Sequence, residues 1–325
     1  MEPTITPPSF RPFPLPYLGH PYGDEPVSFS TAVSRSLSET FLSREPALAS
    51  CTRSEAGALL ASWIPRCPEA MMLLPFALTD DAWAAARAVV DPCVDLKNAI
   101  LPFGLSIMGL EAVPRLVEAH ASKQITKHAR FVYRLAIVGA LAVEASRDVS
   151  WPKEYDEYLR FDPAAWWFAK TPYMYGYYHL YLQLETWVSP LLQIAIAKLP
   201  APRAHEILDE ALDTQLPKGF PMAFFALPCL RAHWRPEYVA KAGRAIAWYQ
   251  AKPKGSDGNE RSTKVLIADA RALGVYEQVI IEVFRHGDWD DLRWLHFPDR
   301  RRFLATAKQA LPPESYARLA ARVRA

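Results

Sequence analysis

The stretch LPAPRAHEILDEAL, Leu199 to Leu212, reads as a helix start followed by a helix. A proline stands where a helix tolerates one, and apolar residues then recur every three or four positions. The same phrase returns as WRPEYVAKAGRAIAWY at Trp234 and as LPPESYARLAARV at Leu311. Repetition of one helical phrase at intervals is what stacked helical hairpins leave in a sequence. Working outward, Thr52-Arg53-Ser54-Glu55 fits a capping box ahead of the apolar stripe Leu59, Leu60, Trp63 and Ile64.

Helices are expected in the same way over Asp80 to Val90, Leu96 to Met108, Leu110 to Ala121, Thr126 to Ser146, Pro163 to Ala169, Tyr177 to Lys198, Arg203 to Thr214 and Phe220 to Ala232. They continue over Glu237 to Gln250, Arg261 to Leu273, Tyr276 to Arg285, Asp299 to Gln309 and Glu314 to Val323. Alternating β-branched runs between tight turns are missing, so no strand is expected. The chain therefore reads as all-α: stacked helical hairpins, either a solenoid or an irregular bundle.

The flanks differ in character. The first 26 residues carry eight prolines, among them Pro7, Pro8, Pro12, Pro14, Pro16 and Pro21, interleaved with Phe10, Phe13, Tyr17 and Tyr22. Proline fixes φ and removes a donor, so residues 1–27 should form an extended strap lying along the body. Residues 28–325 read as a single helical-repeat-like domain, interrupted by an aromatic-rich segment at 151–187 and by a flexible Gly- and Lys-rich loop at 252–260.

WIPRCPEAMMLLPFAL, DDAWAAARAVVD and GLEAVPRLVEAH resemble the paired-helix phrasing of HEAT-type repeats, most recognisably from Ser62 to Ala145. Unit spacing departs from that pattern, and the Trp151 to Trp187 stretch fits no repeat. The resemblance implies a curved α-solenoid with a concave protein-binding face, and it carries over no catalytic residue.

Bulk composition narrows the function classes. Half of the 325 residues are hydrophobic, enough for a core without metal or disulfide staples. Lys and Arg total 37 against 35 Asp and Glu, a balance unlike that of a dedicated nucleic-acid binder. Cys51, Cys67, Cys93 and Cys229 have the spacing of buried small hydrophobes, not of a zinc site. No basic stretch followed by an apolar run opens the chain, and the uncharged run Leu135 to Val143 is far too short for a span, so a cytoplasmic protein without a membrane partner is expected.

Motifs for catalysis are absent. No two histidines have the i, i+3 or i+4 spacing of a helical metal site, so no metal or cofactor is expected. Asp80-Asp81 lacks the successive carboxylates of the magnesium motif in class I terpene synthases, and reads as helix N-terminal charge. Gly-x-Ser-x-Gly, Walker and dinucleotide loops are missing, and no catalytic residue is assigned.

The ligand or interface candidates are Trp166, Trp167, Tyr173, Tyr175, Tyr178, His179, Tyr181 and Glu185, within the aromatic-rich segment. Tyrosine and tryptophan patches suit protein interfaces, so the expected function is a non-enzymatic protein-protein interaction module. A dedicated inhibitor such as an immunity protein, or an adaptor, would suit a composition of bacterial type. Two rival readings stand beside it. One is a small-molecule-binding protein or enzyme with aromatic pocket walls and His179, Glu185 or Asp162 as polar groups. The other is nucleic-acid binding through Arg300 to Arg302 and Arg318, Arg322 and Arg324, which the acidic turn at Asp288, Asp290 and Asp291 would oppose.

Overall fold

The computed structural model describes residues 51–66, 68–93, 105, 108–160, 189–213, 232–250, 270–289 and 297–324. Helices and turns make up these residues, with no strand among them. The chain divides into two compact units, Met1–Leu159 with Ala164–Leu199 and Arg160–Pro163 with Pro200–Ala325. The proline-rich segment 1–27, the expected helix 163–169, the expected helices 96–108 and 220–232 apart from Leu105, Met108 and Ala232, and the loop 252–260 lie outside the described residues.

In the first unit, α1 (Arg53–Trp63) opens on the expected capping box: Thr52 accepts from the Glu55 amide, and the Glu55 carboxylate accepts from the Thr52 amide. Donation from the Thr52 amide and hydroxyl holds the Glu55 carboxyl below its usual range. A 3-10 stretch, Pro68–Phe76, follows where the repeat resemblance would place an α-helix, and it buries Ala70, Met71, Leu73 and Leu74. Its mostly apolar run has no 3.6-residue polar face, and Pro75 withholds a backbone donor. Helix α2 (Asp80–Val90) packs on α1, capped by Thr79 and carrying Asp80 and Asp81 in its first turn, where negative charge complements the helix dipole. Asp80 also pairs with Arg115 at 2.8 Å.

Helices α3 (Val113–Ala121) and α4 (Lys127–Ser146) pack on one another across a short turn. Every residue of α4 from Phe131 to Ala142 is buried, which a helix can sustain only when neighbours surround it. Those neighbours are α3, the 3-10 turns Gly109–Glu111 and Lys153–Leu159, and α5 (Ser189–Ala197). The α4 C-terminus closes in a Schellman arrangement: the Val149 amide donates to the Glu144 carbonyl, the Asp148 amide to the Ala145 carbonyl, and Asp148 takes φ 57°.

Thr126 joins α4 to the end of α2. Its hydroxyl accepts from the Ala129 amide at 3.0 Å and donates to the Cys93 carbonyl at 2.5 Å, while its amide donates to the Asp91 carbonyl at 3.1 Å. Replacing Thr126 with Ala removes the cap and leaves a part-buried carbonyl without its donor, at a cost of about 2 kcal/mol. Thr126→Ser keeps both bonds and should lose under about 0.5 kcal/mol, measurable as the difference between the two variants in urea unfolding.

In the second unit, α6 (Ala201–Asp213) packs on α7 (Tyr238–Gln250), and α7 on α8 (Tyr276–His286). Helices α9 (Arg300–Ala310) and α10 (Pro313–Arg324) pack together and on α8. Gly274, at φ 72°, ends the turn before α8, with the Val275 amide on the Ala270 carbonyl and the Gly274 amide on the Arg271 carbonyl. Phe297 stacks on Phe303 at 4.4 Å and leans on Tyr276 at 6.0 Å, filling the space where α8 meets α9.

Candidate functional site

Trp166, Trp167, Tyr173, Tyr175, Tyr178, His179, Tyr181 and Glu185 lie outside the described residues, as does Asp162. The head of the aromatic-rich segment, Trp151 to Leu159, is described, and it is built into the first unit. Trp151, Asp156, Tyr158 and Leu159 are buried there. The Trp151 indole N–H donates to the Asp156 carboxylate at 3.0 Å, so each buried polar group answers the other.

Three helices receive this head, α5 packing on it beside α3 and α4. From α4, Arg134 donates to the Glu157 carbonyl at 2.9 Å and places its guanidinium 5.8 Å from the centre of the Tyr158 ring. From α3, His120 meets the same ring edge-on at 5.3 Å. Tyr158 is thus flanked by an arginine and a histidine. Burial, reinforced by the Arg134 and Arg130 charges, lowers the His120 pKa from 6.5 to about 4. The Tyr158 hydroxyl is pushed up to about 12, chiefly by burial, with the neighbouring Glu157 adding to it. Near neutral pH the imidazole and the phenol are both uncharged, and Arg134 carries the charge of the group.

Two further clusters occupy chemistry-bearing residues. Tyr133 donates to Asp91, which also receives Arg87 at 2.9 Å, and burial raises the Tyr133 pKa strongly. In the second unit Asp209 accepts from Arg235 at 2.8 Å and from Lys241 at 3.2 Å. Arg235 reaches the Tyr238 hydroxyl at 3.1 Å, and the His205 ring lies 6.0 Å from that of His233 and 6.2 Å from that of Tyr238. Two cations, one on α7 and one on the turn before it, meet this single aspartate of α6, so the cluster acts as a clamp between α6 and α7.

The basic C-terminal residues divide by role. Arg318 donates to the Gly287 carbonyl at 3.4 Å and to the Ser315 hydroxyl at 3.1 Å, and Arg322 faces Asp288 at 3.6 Å. Both secure α10 to the end of α8, and Arg300, Arg301 and Arg302 are exposed on the first turn of α9. Among the described residues, no group of three or more His, Cys, Asp or Glu could hold a metal ion, and no helix is long and apolar enough to cross a membrane.

Sequence reasoning did not single out Arg134 or His120. The signal for Arg134 was present: it borders the uncharged run Leu135 to Val143 on a helix whose other apolar neighbours demand burial. His120 carried no local signal, because its enclosure depends on Tyr158, which arrives from a later element. Comparison with protein-family models, with curated proteins and with solved structures finds no match.

Proposed function

We propose that this chain is a non-enzymatic protein-binding module that engages its partner through the aromatic-rich segment. The observation carrying this is the buried anchor at the head of that segment. Trp151, Asp156 and Tyr158 fix Lys153–Leu159 against α3 and α4, so the interface aromatics Trp166, Trp167, Tyr173, Tyr175, Tyr178 and Tyr181 follow from a pre-organised base. Pre-organisation lowers the entropic cost of association, and tyrosine and tryptophan supply contact area with few rotors to immobilise. The conspicuous polar clusters support the same reading, since Asp209, Asp91 and Arg134 are spent on internal contacts.

In this proposal the hairpins stack in a HEAT-like manner, the proline-rich segment lies along them as a strap, and the protein works in a bacterial cytoplasm as a dedicated inhibitor or adaptor. The test is a pull-down from native lysate with wild-type protein beside Trp166→Ala/Trp167→Ala/Tyr175→Ala, matched by circular dichroism. One stoichiometric partner retained by wild type and reduced at least about tenfold in the variant is expected, since interface aromatics each contribute upward of about 1 to 2 kcal/mol. Failure of the wild type to retain any protein rejects the module and turns attention to small-molecule ligands of the aromatic segment.

A further inference from the structure

We propose that His120, Tyr158 and Arg134 form an acid-released latch, which holds the head of the aromatic-rich segment against α3 and α4 near neutral pH and lets it go when His120 takes up a proton. The latch rests on a three-way contact. Arg134 is buried, permanently charged, and lies 5.8 Å from the Tyr158 ring centre, while His120 abuts the same ring at 5.3 Å with an interplanar angle of 82°. One aromatic ring can serve a guanidinium and a neutral imidazole together. A second cation beside it meets the first in a half-buried setting, where screening is weak.

Among the described residues, the charged groups that act on His120 are Arg130 and Arg134 on α4, and both disfavour a proton there. Glu157 and Tyr155, on the segment itself, act on Tyr158. Arg130 is tied to the Ser122 carbonyl at 3.2 Å, which keeps its charge at the end of α3, and the Asp156 carboxylate accepts from the Trp151 indole. Arg134 cannot shed its charge, since a guanidinium stays protonated throughout the working range. Relief comes from moving Lys153–Leu159 outward, which carries Tyr158 into water and opens the His120 edge.

The sign follows from linkage. The closed state holds His120 at about 4 against 6.5 when free, so the open state binds more protons between those values. Closure is therefore fully favoured above the upper value, weakens as pH falls through the window, and loses nothing further below its lower end. Allowing for the partial exposure of the ring, opening should rise by roughly tenfold or more between pH 7 and about pH 4.5.

Amide hydrogen exchange, corrected for the intrinsic pH dependence and referenced to α8, measures this directly. Protection of residues 151–159 in the full wild-type chain should fall about tenfold across the window, with the His120 ring titrating in step by NMR. His120→Phe, which keeps the edge contact and cannot titrate, should abolish the change. His120→Gln serves the same purpose if the phenylalanine variant misfolds. Wild-type protection that stays constant relative to α8, or falls equally in a folded non-titrating variant, overturns the latch. The proposal stands or falls independently of what the aromatic segment binds.

Discussion

Gly109→Ala should destabilise the first unit by about 4 kcal/mol, the largest effect of any single methyl addition in the described residues. Gly109 sits at φ 60°, where a Cβ collides with the local backbone and costs about 1 to 2 kcal/mol on its own. The added Cβ would stand 1.7 Å from Glu144 Oε1 and 2.7 Å from its Cδ. Glu144 is buried, accepts from the Leu110 amide at 3.0 Å and pairs with Arg147. Its carboxylate cannot move without giving up a charged hydrogen bond, and a displaced buried acceptor costs a further 2 to 3 kcal/mol, roughly. Gly274 provides the control: it has φ 72° with nothing within 4 Å of a built Cβ, so Gly274→Ala should cost only the backbone strain. Urea unfolding of both variants, read by exchange of α4 and α8 amides separately, distinguishes the two cases. Equal losses at the two glycines would remove the assigned role of Glu144.

Gly243→Ala should cost about 2 to 3 kcal/mol in the second unit, against the local propensity of the helix. Mid-helix alanine is favoured over glycine by about 1 kcal/mol, so the sign depends on what the new methyl meets. It meets Glu282 of α8: its Cβ at 2.2 Å, and its backbone carbon atoms at 3.0 and 3.1 Å. A flexible side-chain tip could turn aside, whereas a helix backbone cannot, so α7 and α8 must separate. The separation also loosens Ala247 against Gly287, where a built Cβ already lies 3.2 Å away. Thermal unfolding of Gly243→Ala beside Gly243→Ser checks this, with the larger side chain at least as damaging. A neutral or stabilising Gly243→Ala would mean that α7 and α8 are not in close backbone contact.

What could be read from the sequence was local. The capping box of α1 and the first-turn aspartates of α2 are written within four residues of the helix starts they serve, and the structure has each of them. Helix limits followed for the same reason, as with Asp80–Val90. The 3-10 stretch Pro68–Phe76 was not legible, because an apolar run punctuated by proline has no period to distinguish it. Gly109 gives no sign of its partner: Glu144 lies far along the chain, and only the packing of the 3-10 turn on α4 brings them together. Asp209 reads as an ordinary solvated helix residue until Arg235 and Lys241 close on it from α7 and the turn before it. Side chains whose setting depends on such long-range meetings have no sequence-local mark.

The enclosure of α4 has a consequence for how the chain is made. A ribosome that has delivered Ser146 presents a helix with apolar residues around its whole circumference, while the 3-10 turn Lys153–Leu159 and α5 are still to be synthesised. During that interval α4 can cover only the sides facing α3 and the Gly109–Glu111 turn, and its bare flank invites association with other nascent chains. Vectorial synthesis thus leaves this unit exposed until α5 emerges, a period in which a holding chaperone would protect it.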